Sequence, residues 1–169
     1  MMTKSKVLAF PVLLEELQTL RRQGKRIVFT NGCFDLLHPG HVRYLRAARE
    51  LGDVLVVAIN SDASVRRIKG PKRPLVPAQD RAELLAALEM VDYVTIFDED
   101  TPLDLIEKIA PDVLVKGGDW PPDTIVGASV VQARGGVVRS VPYAAGYSTS
   151  GLVKRILERE RECGVPSTR

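Results

Sequence analysis

Cysteine and histidine are scarce in this chain, which contains two of each among its 169 residues. The single possible pair of Cys33 and Cys163 does not make a disulfide framework, and the spacing of the cysteines and histidines matches no zinc finger. The small number of cysteines, without a disulfide framework, favours a reducing compartment and therefore a cytoplasmic protein. It also gives no indication of a metal site built from protein side chains.

Long apolar runs and blocks of one charge are also missing. No apolar run approaches the roughly 18 residues that a membrane span needs. Residues 4–14 mimic a short signal peptide, but no small-residue cleavage site follows and Glu15 and Glu16 come at once. Aromatic residues make up only 5% of the chain, and the net charge of +3 is dispersed. We therefore expect phosphate ligands, with no nucleic-acid partner and no membrane contact.

Short apolar segments alternate with amphipathic segments along the whole chain, and no repeat or linker divides it. The predicted strands are residues 26–30, 53–60, 93–97, 113–116 and 136–141. The predicted helices are residues 12–23, 39–51, 62–68, 78–90, 102–109 and 148–161. This alternation predicts an α/β fold, a single doubly wound domain of residues 1–169 with a five-stranded parallel sheet and a core over about 12–157.

Two other segments of the chain are predicted to be irregular. Residues 69–77 carry three prolines and three basic residues, which indicates a mobile loop, and residues 121–134 are expected to hold about two helical turns.

In the helix over 78–90, Leu84, Leu85 and Leu88 are expected to face inward. Ligands of such sheets bind beyond the carboxyl ends of the strands, so the segments after each strand are the candidate site.

The segment after the first predicted strand contains both histidines. It reads TNGCFDLLHPGH over residues 30–41, with His38 in a loop and His41 in the first turn of the next helix. A helix N-terminus attracts anions, and Gly32 and Gly40 allow the backbone to approach a ligand closely. The pattern predicts a phosphate site. Metal binding by the histidines and a purely structural pair are the alternatives, while the Walker and GxGxxG spacings are absent.

A known family shares this segment. HPGH after NGCFD resembles the HxGH signature of the cytidylyltransferase-like nucleotidyltransferases, and YSTS at 147–150 resembles their ISTT motif, which opens a helix under the triphosphate. The second motif departs from the family pattern at Tyr147 and Ser150, although Ser150 keeps a hydroxyl. The resemblance implies a Rossmann-like enzyme that transfers a nucleotidyl group to a phosphorylated acceptor and releases pyrophosphate.

Five further stretches narrow the resemblance to the adenylyltransferases of ADP-heptose synthesis, which serve the lipopolysaccharide core. They are FTNGCFDLLHPGHVRYL, VAINSDASV, KRPLVP, DEDTPLDLI and PDVLVKGGDW. The resemblance implies transfer of AMP from ATP, with Mg²⁺, to D-glycero-β-D-manno-heptose 1-phosphate. It also implies a homo-oligomer, a dimer or larger, and a stand-alone form that depends on a separate heptose kinase. A glycerol 3-phosphate cytidylyltransferase and a non-catalytic nucleotide-binding regulatory module are the alternatives.

The resemblance also assigns roles to individual residues. The expected catalytic residues are His38, His41, Lys72 and Lys116. The expected nucleotide-binding residues are Asn31, Gly32, Cys33, Phe34, Gly40, His41, Asn60, Arg81, Gly117, Ser148, Thr149 and Ser150. The expected acceptor-binding residues are Asp35, Lys72, Arg73, Lys116, Asp119 and Trp120. Mg²⁺ is expected to be held by phosphate oxygens and water rather than by the protein.

Several of these residues have a second interpretation. Lys72 and Arg73 form either a basic lid over the phosphates or a solvated loop, and Arg81 makes either a phosphate contact or a structural ion pair. Asp35 meets the acceptor or stabilises a turn. Lys116 follows apolar residues at the end of a predicted strand, where packing gives no reason for a charge, so a ligand role is expected.

Overall fold

The computed structural model of the protein describes residues 5–118, 120–142 and 146–162. The strands are β1 (Ile27–Gly32), β2 (Val54–Asn60), β3 (Tyr93–Phe97), β4 (Val113–Gly117) and β5 (Val137–Val141). The helices are α1 (Phe10–Arg22), α2 (Pro39–Arg49), α3 (Asp62–Lys69), α4 (Ala78–Ala86), α5 (Leu103–Ile109), α6 (Ala128–Ala133) and α7 (Thr149–Glu162), and a 3₁₀ turn covers Pro122–Thr124. Each predicted strand and helix is present within a few residues of its expected bounds.

The five strands form one parallel sheet in the order β3-β2-β1-β4-β5. The chain builds outward from β1 through β2 to β3, then crosses to the other side of β1 for β4 and β5. This confirms the doubly wound α/β sheet. The strand order reverses between β1 and β4, so the ligand crevice of such a sheet opens at the carboxyl ends of these two strands.

Both faces of the sheet are covered. One apolar cluster includes Leu13 and Leu17 of α1 together with Ile106 of α5, and the other includes Leu45 of α2 and Leu85 of α4. All seven residues of β2 are buried, because successive side chains of a strand point to opposite faces and here each face packs against helices. This double burial explains why the strands are continuous apolar runs in the sequence.

Helix α4 differs from its prediction. It ends at Ala86 rather than at the expected residue 90, and Leu84 is 49% exposed, so the inward placement of that leucine was wrong. The buried stripe of α4 consists of Arg81, Ala82 and Leu85. Leu85 is buried as predicted and Leu88 packs against the same cluster, so only Leu84 is misplaced, because Arg81 and Ala82 complete the inner face instead.

Helix α7 packs little against the rest of the domain. None of its residues is buried, and Ile156 and Leu157 are 53% and 49% exposed. The part of α7 that concerns the candidate site is its first turn, which begins at Thr149. None of the described helices has the length and apolar character that crossing a bilayer requires.

Candidate functional site

The candidate site begins where β1 and β4 end side by side. Thr30 of β1 is in register with Val115 of β4, which places the segment from Asn31 next to the segment from Lys116. The Tyr44 hydroxyl, from α2, donates to the carbonyl oxygen of Val115 at 3.2 Å and shares a hydrogen bond with the Thr30 hydroxyl. Helix α2 is therefore fixed to both strands at the point where the strand order reverses.

The turn after β1 folds back over its own glycine. Phe34 has a φ of +47°, in the left-handed region, and its ring covers Gly32 so closely that a Cβ there would lie 3.0 Å from the ring. The ring also packs on the His41 imidazole with centroids 5.1 Å apart. A side chain at position 32 would press against this ring, which would have to shift by a few tenths of an ångström to accept it.

The two histidines lie directly on one another. The imidazole rings of His38 and His41 stack with centroids 3.8 Å apart and an angle of 16° between their planes. The Nδ1 atom of each ring is buried and has no hydrogen-bond partner among the described residues. No hydrogen bond joins either ring to another described residue, so the ring nitrogens remain available to a partner from outside the chain. The sequence prediction that the two rings act at one place is consistent with this geometry.

The histidine pair is uncharged at neutral pH. Burial lowers the pKa of His41 to about 4, with the neighbouring His38 adding to the effect. Burial also lowers the pKa of His38. Two stacked imidazolium cations would repel one another, so the neutral state is what allows the rings to lie this close. A polyanion placed on their Nε2 edge would reverse the balance and favour protonation.

Gly40 and Tyr147 bring the second motif to the first. A Cβ on Gly40 would lie 2.9 Å from Nδ1 of His38 and 3.0 Å from Cβ of Tyr147. The Tyr147 ring is stacked at 6.2 Å from the His38 ring, and its other contact is the Arg43 guanidinium, 5.2 Å from the ring centroid. The two motifs, far apart in sequence, therefore meet in space.

Ser148 begins α7 as its N-cap residue. Its Oγ accepts a hydrogen bond from the backbone N–H of Gly151 at 3.0 Å, and its carbonyl accepts from Leu152. The serine hydroxyl hydrogen remains available for donation, since the cap uses only an oxygen lone pair. Thr149 and Ser150 form the first turn, whose free N–H groups favour an anion beside the histidines.

Lys116 supplies positive charge on the β4 side of the site. It lies half-buried near the end of β4 and has no ion-pair partner among the described residues. Burial lowers its pKa; the Cys33 thiol opposes this effect, and the cationic Lys69 adds to it. Burial likewise raises the pKa of the Cys33 thiol, so the thiol stays protonated at neutral pH. An uncompensated lysine at this position is suited to receive an anion.

Asp35 holds the loop between α3 and α4. Its Oδ2 accepts from Arg73 at 2.7 Å, while Oδ1 accepts from the backbone N–H groups of Leu75 at 2.7 Å and Val76 at 3.0 Å. Asp35 is only 7% exposed. Burial raises its pKa, but the three hydrogen bonds outweigh that effect and hold the pKa below its usual range. The loop predicted to be mobile is thus attached to the turn after β1.

Arg81 is fully buried, and its guanidinium group joins the segments that surround the site. It donates to the carbonyl oxygens of Val76, Cys33 and Asn60 at 2.9, 2.5 and 2.9 Å, and it forms an ion pair of 2.8 Å with Asp62. These contacts agree with the structural alternative for this residue. These bonds use four of the five guanidinium N–H groups, so only the second Nη1–H of this fully buried side chain is left for the predicted contact with phosphate.

Asn60 lies at the end of β2 and is also engaged by the protein. Its Nδ2 donates to the Ser64 hydroxyl at 3.0 Å, and the Cys33 thiol lies 3.9 Å from its Oδ1. The Ser61 hydroxyl caps α3 by accepting from the Ser64 N–H. The Asn60 side chain thus supports the wall of the crevice, and its predicted contact with the nucleotide remains a prediction.

Lys72, Gly117 and Trp120 are further predicted residues that the structure describes. Lys72 is exposed and has no ion pair within the ranges given above. Trp120 is 54% exposed, and its backbone N–H donates to the Ser140 hydroxyl at 3.2 Å. Gly117 ends β4 and is buried. Asp119 lies outside the described residues.

The described residues contain no group of three histidine, cysteine, aspartate or glutamate side chains close enough to hold a metal ion. The Asp35 carboxylate, in the turn between β1 and His38, already accepts three hydrogen bonds from the protein. This donor set suits a cation that arrives already coordinated by phosphate oxygens and water, because Mg²⁺ keeps several waters and often binds through substrate phosphates.

The sequence reasoning missed two residues of the site. Tyr44 was not singled out, although its position three residues after His41 puts it on the buried side of α2. Arg43, which stacks on Tyr147, gave no signal, since nothing in a lone arginine on a helix indicates an aromatic partner from a segment about a hundred residues away.

The chain matches a known protein family and is similar to known proteins over most of its length. The cytidylyltransferase-like family matches residues 29–168 of the chain. The bifunctional protein HldE of Syntrophotalea carbinolica is 56% identical over 155 residues, which are 92% of this chain and 32% of that protein. The bifunctional protein HldE of Geobacter metallireducens is 59% identical over 137 residues, which are 81% of this chain and 28% of that protein.

A solved structure agrees with this result. The lipopolysaccharide core biosynthesis protein from Thermoplasma volcanium GSS1 superposes with a TM-score of 0.58 at 30% identity, over 72% of this chain and 98% of that chain. The chain spans about a third of the length of the curated relatives named above. The match to the family covers the histidine segment, the edge of β4 and the start of α7 together. The chain therefore belongs to the cytidylyltransferase-like family of nucleotidyltransferases.

Proposed function

We propose that the protein transfers AMP from ATP to D-glycero-β-D-manno-heptose 1-phosphate, which yields ADP-heptose and pyrophosphate. The observation that carries this proposal is the stacked, uncharged pair of His38 and His41 beside Tyr147, the residue that leads into Ser148 and α7. The choice of adenylate and heptose is supported by the sequence resemblance to the adenylyltransferases of ADP-heptose synthesis. The bifunctional HldE relatives and the lipopolysaccharide core protein are similar to this chain over its greater part.

The proposed reaction is an in-line displacement at the α-phosphorus of ATP. An oxygen of the sugar phosphate forms the new bond to phosphorus, and the bond to the bridging oxygen of pyrophosphate breaks. Such transfers need little covalent help from a protein, and positioning and stabilisation of charge dominate. No protein nucleophile is required, and Cys33, with its raised pKa, is not suited to be one.

The triphosphate is proposed to lie between the histidines and α7. Nε2–H of His38 and of His41 would donate to phosphate oxygens as negative charge develops on them. The hydroxyls and N–H groups of Ser148, Thr149 and Ser150 would hold the β- and γ-phosphates at the helix N-terminus. Backbone groups from Asn31 to Phe34, with Gly40 and Gly117, would line the nucleotide pocket, which Asn60 and Arg81 support from behind.

Lysines are proposed to hold the acceptor side. Lys116 has no counter-charge within the described residues, and Lys72 lies exposed on the loop that Asp35 attaches. Both cations would approach the sugar phosphate and the α-phosphate, and Trp120 would flank the sugar. Mg²⁺ would enter with ATP, coordinated by phosphate oxygens and water, and would neutralise the leaving pyrophosphate.

The cellular setting follows from the substrates. A reaction that consumes ATP belongs in the cytoplasm, and a sugar 1-phosphate must be supplied by a kinase that acts on the sugar. We propose a heptose kinase activity as that source. We also propose that the protein forms a homo-oligomer, for which the exposed Ile156 and Leu157 of α7 offer apolar contact area.

A panel of substrates tests the proposal. Pyrophosphate release is measured with Mg²⁺ for ATP, CTP, GTP and UTP, each against the β- and α-anomers of the heptose 1-phosphate and against glycerol 3-phosphate. Release with ATP and the β-heptose supports the proposal. Release only with CTP and glycerol 3-phosphate would keep the chemistry and overturn the substrate. ATP binding without release from any pair would favour a regulatory module instead.

A further inference from the structure

Asp35 precedes His38 by three residues in the turn after β1, yet the protein itself uses both oxygens of its carboxylate. Arg73 donates to Oδ2, and the N–H groups of Leu75 and Val76 donate to Oδ1. The hydrogen bonds hold the pKa of Asp35 below its usual range, so the group is an anion at neutral pH. An anion with three donors in place is a poor ligand for a sugar that itself carries a phosphate, because the two negative charges repel one another.

The same three bonds fix the loop that carries Lys72. Leu75 and Val76 are held through their backbone, which restrains the path of the chain rather than one side chain. The Val76 carbonyl is held as well, because Nε of Arg81 donates to it at 2.9 Å. One peptide segment is thus held at both its N–H and its C=O side.

Asp35 and Arg81, which hold the loop, both also contact or belong to the segments that form the site. Asp35 belongs to the turn that leads into α2, three residues before His38. Arg81 also donates to the carbonyl oxygens of Cys33 and Asn60, at the ends of β1 and β2. The position of the loop is therefore set relative to the turn that carries the histidines.

We infer that Asp35 is a positioning residue: with Arg73 it forms a clasp that holds residues 73–76 on the turn after β1 and so places Lys72 at the mouth of the site. It does not bind the acceptor. This inference rests on the proposed function for its kinetic consequence, whereas the clasp itself can be measured without turnover. It replaces the acceptor contact that the family resemblance implies for this aspartate.

The first test follows the clasp in the folded protein without substrate. Exchange of the Leu75 and Val76 amide hydrogens is measured by NMR in the wild type, in Asp35→Ala and in Asp80→Ala. Asp80 lies exposed on α4 near the loop and has no hydrogen bond or ion pair within the described residues, so it is a matched control. We expect exchange at both amides to quicken by at least about tenfold in Asp35→Ala only. Unchanged protection in Asp35→Ala would overturn the inference.

The second test separates positioning from acceptor binding. Asp35→Asn keeps an oxygen for the two amides but removes the charge that pairs with Arg73, and Arg73→Met removes the other half of that pair. We expect each variant to lower kcat by about tenfold, with the KM for the acceptor within about threefold of the wild type. The double variant should be no slower than either single variant, because both remove one interaction.

Lys72 connects the clasp to the chemistry. Lys72→Ala should lower kcat strongly in the wild type and only slightly in the Asp35→Asn background, where the lysine is already misplaced. A rise in the acceptor KM in Asp35→Asn but not in Arg73→Met, with additive losses in the double variant, would show direct acceptor binding and contradict the inference. If Asp35→Asn fails to fold, Arg73→Met carries the same prediction. If the wild type has no activity, the proposed function fails, and amide exchange still decides the clasp.

Discussion

His38 and His41 lie face to face, with ring centroids 3.8 Å apart, and Nδ1 of each ring is buried without a hydrogen-bond partner among the described residues. Stacking at this distance requires that the rings are not both charged. Burial lowers the pKa of both rings, so the pair is neutral at neutral pH, and its nitrogens make no hydrogen bond with the described residues. Catalysis by such preorganised groups needs no rearrangement during the reaction.

Removal of one ring should abolish most turnover without unfolding the protein. We expect His41→Ala to lower kcat by about 100-fold or more, because one donor to the developing charge is lost. Arg46→Ala, an exposed change on the same helix, is the control and should keep full activity. Circular dichroism and pyrophosphate release test this, and turnover within about threefold of the wild type would contradict the role of His41.

The charge state of the pair can be observed directly, since the chain contains no other histidines. In a ¹H–¹³C NMR titration of the imidazoles, the His41 signal should titrate near 4 in the ligand-free protein. Binding of MgATP or of pyrophosphate should raise both pKa values, because an anion next to Nε2 stabilises the protonated ring. A His41 pKa near 6.5 without ligand, or no change when the ligand binds, would contradict this account.

Stability should fall as the pH is lowered from about 6.5 to about 4. The folded protein holds the pKa of His41 at about 4, below its ordinary 6.5, so in this range the unfolded chain binds more protons and protonation favours unfolding. The stability present at neutral pH and lost over this range is on the order of 3 kcal/mol. The pKa of Asp35 is lowered from 3.8, so the stability that this carboxylate contributes is present above that pH and is lost only as the pH falls below it.

Urea denaturation at pH 7, 5.5 and 4.5 measures this loss. His41→Asn should flatten the dependence, because the variant has no ring to protonate at that position. An equal slope in the wild type and the variant would show that the loss comes from other groups.

We expect Lys116 to lower the free energy of unfolding while it raises the rate of the proposed reaction. It is half-buried without an ion pair in the described part of the chain, and burial lowers its pKa. We expect Lys116→Met to raise the free energy of unfolding at pH 7, because an uncompensated charge no longer has to be desolvated. The same change should lower kcat by about 100-fold, since a cation facing the phosphates is lost.

The control for Lys116 is Lys108→Met, which removes an exposed lysine from α5. Urea denaturation and pyrophosphate release should both match the wild type for this variant. A Lys116→Met protein that is less stable, or that keeps its activity, would show that Lys116 serves the fold rather than the substrate.

The fold was largely predictable because the strands of a parallel sheet that is buried on both faces are continuous apolar runs in the sequence. The strands β2 and β4 are short apolar runs between polar turns, and their carboxyl ends carry the polar residues Asn60 and Lys116. The neighbourhood of the histidines and the α7 motif could also be predicted, since both motifs follow strands that end at one edge of the sheet.

The contacts that organise the site were less predictable, because they depend on buried charge. Arg81 occupies the inner stripe of α4, where apolar patterning expects leucine, and this displaced Leu84 from its predicted place. The use of both Asp35 oxygens by the loop depends on the backbone N–H groups of Leu75 and Val76, which have no signature in side-chain identity. Proline content alone predicts a mobile loop and cannot reveal such an anchor.

In the proposed reaction, the α-phosphoryl group of ATP is transferred, with its adenosine, to a sugar phosphate. The most direct measurement incubates the protein with β-heptose 1-phosphate, Mg²⁺ and ATP labelled with ³²P at either the α- or the γ-position. We expect the α-label in the sugar nucleotide and the γ-label in pyrophosphate. Appearance of the γ-label in the sugar, or an α-label that leaves only as free ADP or AMP, would contradict it.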